Sequence, residues 1–202
     1  MCSSDLDRTL LDRVADAPML AQVQAWAAVN SGSRNLDGLG VMAGLLADAF
    51  AVLPGDIRLV DATPVETVAA DGRIDSIASG RHLHLSVRPD APVRLLLTGH
   101  MDTVFGIDHP FQTLRWLKPG VLNGPGVADM KGGLAVMLAA LHAFEGTEEA
   151  ARLGYDVVIN SDEEVGSPSS AALLKQVAAG KLAAFTSEPA LPAGPPDRKS
   201  RV

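Results

Sequence analysis

Apolar and polar positions along the chain follow two different periods, which together predict a series of helices and strands. Apolar residues three or four apart predict helices, whereas short apolar or alternating runs predict strands. The predicted helices are 18–29, 36–53, 132–144 and 169–179. The predicted strands are 57–60, 81–87, 93–100, 155–160 and 182–186. From residue 93 onward strands and helices alternate, which predicts right-handed crossovers and a mostly parallel sheet with helices on both faces.

Four of the histidines occupy positions for which a structural interpretation is sufficient. The strand at 81–87 reads RHLHLSV, so His82 and His84 share one face, and we expect that face to meet solvent. We assign His109 to a loop surface and His142 to a helix face. Only the remaining histidine, His100, is a candidate for chemistry.

Composition narrows the class of protein. The chain has 202 residues, of which 47% are hydrophobic and 20% charged, as expected for a globular domain. A net charge of −7 and few aromatic residues disfavour nucleic-acid binding. No apolar run reaches the roughly 18 residues of a membrane span, and no signal peptide is visible, so we expect a cytoplasmic protein without a membrane partner. The single cysteine, Cys2, cannot form a thiolate metal cluster.

Polar side chains follow each predicted strand from residue 93 onward. His100 and Asp102 follow LLLTG, Glu163 and Glu164 follow VVIN, and Glu188 follows AAFT. Ligands in open α/β sheets collect beyond the carboxyl ends of the strands, so these side chains are expected to converge. Imidazole and carboxylates are the ligands that bind zinc, cobalt or manganese when thiolates are absent. The pattern therefore predicts a metal site.

The spacing of these residues suggests different roles. His100 and Asp102 are two apart, so in an extended chain they share a face and Asp102 can orient the imidazole. Glu163 and Glu164 are adjacent, so in an extended chain one faces the metal while the other faces the metal-bound water. Asp129 precedes a predicted helix, where a capping role is the simpler alternative. Considered alone, each of these residues is also explained by an ordinary structural or surface role.

Nucleotide-binding and serine-hydrolase motifs fit the sequence poorly. NGPGVADMKGG lacks the third glycine of a dinucleotide-binding loop and carries Asp129 where phosphate would approach. Lys131 is followed by glycine and not by Ser or Thr, so the P-loop pattern fails as well. There is no GxSxG nucleophile elbow. A nucleotide-binding α/β domain is therefore disfavoured.

Four segments occur in order along the chain: GHMDTV, GPGVADMKGG, NSDEEVGS and SEP. Together they resemble the signatures of the M20 metallopeptidases, the family of glutamate carboxypeptidase, acetylornithine deacetylase, succinyl-diaminopimelate desuccinylase and aminoacylase. The similarity spans residues 8–194, including the early SGSRN, and is greatest to the glutamate carboxypeptidase-like subgroup. The resemblance implies a three-layer αβα fold with a mostly parallel sheet, that of a zinc exopeptidase-like catalytic domain.

The resemblance also implies a role for each site residue. His100 and Glu188 would bind one metal, Glu164 the other, and Asp129 would bridge the two. These metals would be two divalent ions, zinc first, with cobalt or manganese as alternatives. Glu163 would be the general base, and Asp102 would be the catalytic residue that orients His100. A hydroxide bridging the two metals would attack an amide carbonyl. The family further implies a cis peptide between Asp129 and Met130.

Parts of the family pattern have no counterpart in these 202 residues. A further ligand histidine and a smaller lid domain, used for dimerisation and substrate contacts, are absent, so we expect the N-terminal part of a catalytic domain, residues 7–196. The ends, residues 1–6 and 197–202, are expected to be non-native. CSSDL and DRKS are compatible with codons containing GCTCTTCCGATC and GATCGGAAGAGC, which are reverse complements typical of sequencing adapter.

Two functional hypotheses follow. The first is a metal-dependent carboxypeptidase or amidohydrolase that cleaves an amide bond in a small peptide or N-acyl amino acid with a free carboxylate. Its full-length parent would be a homodimer, and the fragment alone would be inactive. The second is a catalytically silent metal- or ligand-binding fragment of an α/β domain. Downstream sequence that restores the missing histidine and lid would favour the first.

Overall fold

The computed structural model describes residues 3–189, with side chains described from Arg8 onward. Its helices are α1 (Ser3–Ala15), α2 (Met19–Ala27), α3 (Leu36–Phe50), α4 (Gly133–Glu145) and α5 (Ala171–Ala178). Its strands are β1 (Asp56–Val60), β2 (Val65–Val68), β3 (Ile74–Ile77), β4 (His82–Val87), β5 (Val93–His100), β6 (Arg115–Lys118), β7 (Val121–Asn123), β8 (Leu153–Asn160) and β9 (Ala183–Thr186). Of the ends expected to be non-native, 1–2 and 197–202 lie outside the described residues, and 3–6 belong to α1.

The central sheet has five strands in the order β1-β4-β8-β5-β9. The α/β architecture with helices on both faces agrees with the sequence prediction, but the sheet is mixed. β5 pairs in parallel with β8 and β9, whereas β4 pairs antiparallel with both β1 and β8. The parallel prediction holds where a helix connects successive strands. β1 and β4 precede residue 93 and no helix connects them; they add the antiparallel pairs, whose direction the hydrophobic pattern does not encode.

Apolar side chains pack on both faces of this sheet. On one face, α2, α3 and α4 contribute to a large core that includes Trp26, Leu46 and Leu134. On the other face, α5 covers a smaller cluster built around Val158 and Val177. The sheet is thus the middle of three layers. The carboxyl ends of β5 and β8 carry the polar residues His100 and Asn160.

The hydrophobic pattern located most helices and strands of the central sheet and missed the peripheral ones. Helix α1 and the two-stranded hairpins β2–β3 and β6–β7 lie outside the predicted elements. The hairpin strands are three or four residues long, too short to show a period. Helix α3 begins where predicted, because the side chain of Asn35 accepts a hydrogen bond from the backbone N–H of Gly38 and caps it.

The expectation that His82 and His84 face solvent is wrong. His82 is fully buried and His84 is 8% exposed. Both lie on the face of β4 opposite the leucines, and on that face His84 pairs with Val158, a member of the cluster beneath α5. Alternation along a strand distinguishes two faces, but it does not show whether a second layer of helix covers the polar one.

One helical stretch, Val127–Glu145, is long and apolar enough to cross a membrane by length and composition. Half of it is buried inside the protein, where α4 packs against the sheet. A core helix of a soluble protein has the same properties.

Candidate metal centre

The predicted site residues come together at one edge of the central sheet. Strands β5, β8 and β9 are parallel neighbours, so their carboxyl ends meet there. His100 is the last residue of β5, Glu163 and Glu164 follow β8, and Glu188 follows β9. Asp129 approaches the same place from the turn before α4. The sequence prediction of a shared position at the strand ends therefore agrees with the fold.

His100 lies at the bottom of this cluster. Its side chain is 1% exposed, and its backbone N–H donates to the sulfur of the buried Met130. Nδ1 lies 3.1 Å from the backbone oxygen of Asp102 and 3.3 Å from its Oδ1. Nε2 points the other way, 3.1 Å from Oδ1 of Asp129. The ring is therefore held by Asp102 on one nitrogen and presents the other to the cleft.

Asp102 connects three segments of the chain. It is buried, and its Oδ2 accepts a hydrogen bond from the Ser33 hydroxyl at 2.7 Å. Its Oδ1 and Oδ2 accept the backbone N–H groups of Glu163 and Glu164 at 3.1 and 3.2 Å. Asp102 thus orients the imidazole as expected and also anchors the turn that carries both glutamates. The second contact was not anticipated from the sequence.

Glu163 and Glu164 lie in a short helical turn, Glu163–Val165, and not in the extended backbone assumed from the sequence. The two N–H groups donated to one carboxylate favour this turn over a strand. The two side chains nevertheless occupy different positions. Glu164 belongs to the group of potential metal ligands, whereas Oε2 of Glu163 lies 3.9 Å from Nε2 of His100. The side chain of Glu163 is 48% exposed, which leaves it accessible to a substrate.

Asp129 sits in an irregular turn, Val127–Gly132, whose backbone leaves helical geometry at Asp129 and Met130. The peptide bond between these residues is cis, as the family resemblance implied. Met130 is fully buried in the core, while the side chain of Asp129 remains 53% exposed in the cleft. The helix-capping alternative does not fit, because α4 starts four residues later and has no side-chain cap.

Glu188 reaches the cluster because β9 ends close to the start of α4. A Cβ atom on Gly133 would lie 2.0 Å from the backbone oxygen of Ser187, so only glycine permits this approach. Oε2 of Glu188 lies 3.8 Å from Nε2 of His100. Asp129, Glu164 and Glu188 therefore all lie close to the imidazole of His100.

The electrostatics of the cluster favour a bound cation. Burial raises the pKa of Glu164, and the negative charges of Asp129, Asp102 and Glu163 raise it further against the opposing effect of His100. The pKa of Glu188 is raised in the same way, by burial first and then by Asp129 and Glu163. Burial acts to lower the pKa of His100, but hydrogen bonds and charges from Asp102 and the other carboxylates outweigh it and raise the pKa to about 9. Carboxylates that repel one another in this way are stabilised by a cation.

The donor atoms also fit a metal ion in kind and spacing. One ligand atom each from His100, Asp129 and Glu164 lies within 4.8 Å of the others. These residues supply one nitrogen and carboxylate oxygens, a donor set that suits zinc, cobalt or manganese. Among the residues the structure describes, this is the single group of that kind. The structure therefore contains a candidate metal site; the roles of the individual residues remain predictions.

Sequence reasoning missed three buried polar residues that surround the site. Ser33 donates to Asp102, and Lys131 donates through Nζ to the backbone oxygens of Trp26 and Val29, at the end of α2. Asp162 accepts hydrogen bonds from the backbone and side chain of both Ser169 and Ser170. All three lie inside the motif-like segments SGSRN, GPGVADMKGG and NSDEEVGS. That location was the available signal, although spacing alone does not identify their partners.

Comparison with known proteins identifies the family of the chain. The sequence model of peptidase family M20/M25/M40 matches residues 96–196, half of the chain. Succinyl-diaminopimelate desuccinylase 2 of Shewanella loihica is 36% identical over 83 residues, which cover 37% of this chain and 21% of that protein. The matched segment thus spans about a fifth of the curated relative.

Solved structures show the same fold. Human carnosine dipeptidase 1 has a TM-score of 0.70 and 18% identity, covering 92% of this chain and 42% of its own. The dipeptidase Dug1p of Saccharomyces cerevisiae has a TM-score of 0.67 and 16% identity, covering 87% and 38%. The metallo-carboxypeptidase Sso-CP2 of Sulfolobus solfataricus has a TM-score of 0.65 and 15% identity, covering 84% and 37%. With the family model matching residues 96–196, the chain belongs to peptidase family M20/M25/M40.

Proposed function

We propose that this chain carries most of the metal centre of a hydrolase that cleaves the amide bond of a small peptide or N-acyl amino acid. The observation that carries the proposal is the convergence of His100, Asp129 and Glu164, with one ligand atom from each within 4.8 Å of the others. Glu188 is proposed as a further ligand, because its carboxylate faces the same imidazole nitrogen. Two divalent ions, zinc by preference, are proposed to bind these residues.

Glu163 is proposed as the general base. Bound metal supplies a water of lowered pKa and polarises the amide carbonyl. Glu163 takes a proton and passes it to the leaving nitrogen, a task that requires a carboxylate close to the ligands without being one of them. Oε2 of Glu163 lies 3.9 Å from Nε2 of His100 and its side chain is 48% exposed, so it can reach a substrate held at the ligands. Glu188 has a similar distance and exposure, so the division of roles between the two glutamates is proposed from the family resemblance. Asp102 holds the backbone of the Glu163 turn and one nitrogen of His100, so it fixes the base relative to the ligand.

Substrate and assembly are proposed from the relatives. The matched curated relative is a succinyl-diaminopimelate desuccinylase, and the solved neighbours include dipeptidases and a metallo-carboxypeptidase. Each of these names describes an enzyme that cleaves an amide bond in a small molecule or peptide. We therefore propose that the substrate is an N-acyl amino acid or a short peptide with a free carboxylate. A cytoplasmic location and a homodimeric full-length protein are further parts of the proposal, as is the absence of nucleic-acid and membrane partners.

The chain alone is proposed to be inactive. It spans 42% of human carnosine dipeptidase 1 and 38% of Dug1p, so a further ligand histidine and a lid would come from outside these 202 residues. Without them, part of the ligand shell and the exclusion of water from the site are lost. The alternative, a silent metal-binding fragment, predicts the same metal binding here but no turnover in the full-length protein.

Metal binding by the purified chain tests the proposal. We expect Zn²⁺ titration to show binding that His100→Ala and Asp129→Ala abolish and that Glu163→Gln retains, because Gln removes a proton acceptor and not a ligand. His142→Ala, which removes an exposed histidine on α4, is the matched control and should bind as the parent does. Equal loss in Glu163→Gln and Asp129→Ala would contradict the assigned roles. In the full-length protein, Glu163→Gln should reduce turnover of N-acyl amino acids severely at unchanged metal content.

A further inference from the structure

The loop between α2 and α3 contributes one side chain to the centre of the site. Ser33 is 8% exposed, and its hydroxyl donates to Oδ2 of Asp102 at 2.7 Å, one of the shorter hydrogen bonds around the cluster. Neither the ligand set nor the general base includes this residue. Its contact is with the carboxylate that holds the other groups in place.

Both carboxylate oxygens of Asp102 make contacts that a rotation of the carboxylate would break. Oδ2 also accepts the backbone N–H of Glu164 at 3.2 Å, while Oδ1 accepts that of Glu163 at 3.1 Å and lies 3.3 Å from Nδ1 of His100. The torsion that turns an aspartate carboxylate is soft, and these three contacts come from the groups that Asp102 itself holds in place. The Ser33 hydroxyl is a donor from a different segment and restrains that rotation.

Ser33 is itself held by contacts independent of Asp102. The backbone N–H of Ser33 donates to the oxygen of Thr103 at 3.2 Å, and the N–H of Thr103 donates to the oxygen of Ser31 at 3.0 Å. This short parallel bridge aligns the loop with the residues that follow β5. A Cβ on Gly32 would lie 2.5 Å from the backbone oxygen of Phe105, so glycine is needed for this approach. The hydroxyl is therefore presented to Asp102 by a fixed backbone.

We propose that Ser33 is a positioning residue of the metal centre, which acts through Asp102 to set the orientation of His100 and of the Glu163–Glu164 turn. The inference rests on the proposed metal site. Removing the hydroxyl frees the carboxylate to rotate, which loosens the imidazole on one side and the turn carrying Glu164 on the other. Groups that orient metal ligands from behind typically change metal affinity by about 10–100-fold when removed.

The loop provides a matched control two residues away. Ser31 is fully buried, and its hydroxyl has no hydrogen-bond partner among the residues the structure describes. Ser31→Ala and Ser33→Ala therefore make the same chemical change on the same loop, but only the second removes a bond to Asp102. Zn²⁺ affinity is measured for both in the full 202-residue chain by competition with a chromophoric chelator, after circular dichroism has verified folding.

We expect Ser33→Ala to bind Zn²⁺ roughly tenfold more weakly than the parent, and Ser31→Ala to stay within about twofold of it. Ser33→Thr, which keeps the hydroxyl, should bind as the parent does. Equal affinities for Ser31→Ala and Ser33→Ala would overturn the proposal, as would a loss in Ser33→Thr as large as in Ser33→Ala. Failure of Ser33→Ala to fold would also overturn it, because the hydroxyl would then serve the fold and not the site.

His100→Ala separates this inference from the proposed function. If His100→Ala binds Zn²⁺ as tightly as the parent, the proposed metal site itself is wrong. If His100→Ala loses binding while Ser33→Ala does not, the metal site stands and only the role of Ser33 is overturned.

Discussion

The residues that the structure describes include two buried histidine–aspartate pairs, and their surroundings differ. His84 and Asp156 lie on adjacent strands beneath α5, 2.7 Å apart, with side chains 10% and 8% exposed. His100 and Asp102 lie at the end of β5, with side chains 1% and 0% exposed. By burial and residue type the pairs are alike. They differ in the charged groups that lie next to each pair.

The pair beneath α5 is enclosed and electrically balanced. Nζ of Lys181 lies 2.9 Å from Oδ2 of Asp156 and also donates to the backbone oxygen of Val177 at 2.8 Å. Burial acts to raise the pKa of Asp156, but hydrogen bonds from His84 and Lys181 outweigh it and lower the pKa to about 2. Both carboxylate oxygens of Asp156 and the ammonium group of Lys181 have partners within the protein, so the charges of this cluster are paired without a ligand.

The pair at the strand ends is unbalanced. One imidazole faces an excess of carboxylates, several of them about half exposed to the cleft. Their mutual repulsion would be relieved by a bound cation. The comparison teaches that a buried His–Asp pair indicates a metal site when the second nitrogen of the histidine faces further carboxylates. The pair indicates a structural role when a lysine neutralises the aspartate.

The largest expected effect comes from breaking the enclosed pair. Asp156→Ala leaves Lys181 buried without its counter-ion, which should cost about 3–5 kcal/mol of the free energy of unfolding in urea denaturation. Asp75→Ala removes an exposed partner of Arg73 and should cost about 0–1 kcal/mol. Equal losses in the two variants would show that the cluster beneath α5 does not stabilise the fold as described.

The second effect is on metal binding. Asp102→Asn keeps the volume of the side chain but removes the charge that orients His100, so Zn²⁺ affinity should fall about 10–100-fold. Asp156→Asn makes the same change in the other pair and should leave the affinity of the folded chain unchanged. Titration of both variants at 25 °C measures the difference, and a comparable loss in Asp156→Asn would erase the distinction between the pairs.

The third effect appears in acid. Because the folded pKa of Asp156, about 2, lies below the usual unfolded value near 3.9, its ionised form stabilises the protein above about pH 4. That contribution is lost as the pH falls through about 2. The unfolding free energy of the parent should therefore drop by about 2 kcal/mol more than that of Asp156→Asn between pH 5 and pH 2. Parallel pH curves for the two proteins would refute the assignment.

The smallest effect appears in mild alkali in the metal-free chain. The folded pKa of His100, about 9, lies above the usual unfolded value near 6.5. The resulting stabilisation is complete below about pH 6.5 and is lost as the pH rises through about 9. We expect about 1 kcal/mol, because solvent screens the half-exposed carboxylates. Thermal denaturation of the parent and His100→Ala between pH 6 and 9 measures it; a parent that gains stability relative to the variant would contradict the sign.

The sequence predicted the candidate site better than it predicted the surroundings of the site. The convergence of His100, Glu164 and Glu188 could be predicted because each lies at or beyond the end of a parallel strand, and parallel strands end at one edge. The helices that pack on the central sheet were predicted because their apolar residues repeat at helical spacing over a long segment. The antiparallel direction of β4 was not, because strand direction depends on connections and not on the pattern of side chains.

Contacts between polar residues that are far apart in the sequence could not be predicted. Ser33 and Asp102 are 69 residues apart, and a serine in a turn after a helix has many ordinary uses. His84 was misjudged because its partner Asp156 lies 72 residues away and α5, which covers both, follows later still. Such contacts are set by tertiary packing, so local spacing carries no record of them.

X-ray absorption at the zinc edge of the Zn²⁺-loaded chain tests the central claim most directly. The account predicts a ligand shell of one imidazole nitrogen and carboxylate oxygens, without sulfur, whose imidazole signal disappears in His100→Ala and persists in His84→Ala. A shell with several imidazoles, or with the sulfur of Cys2, or one unchanged in His100→Ala would contradict it.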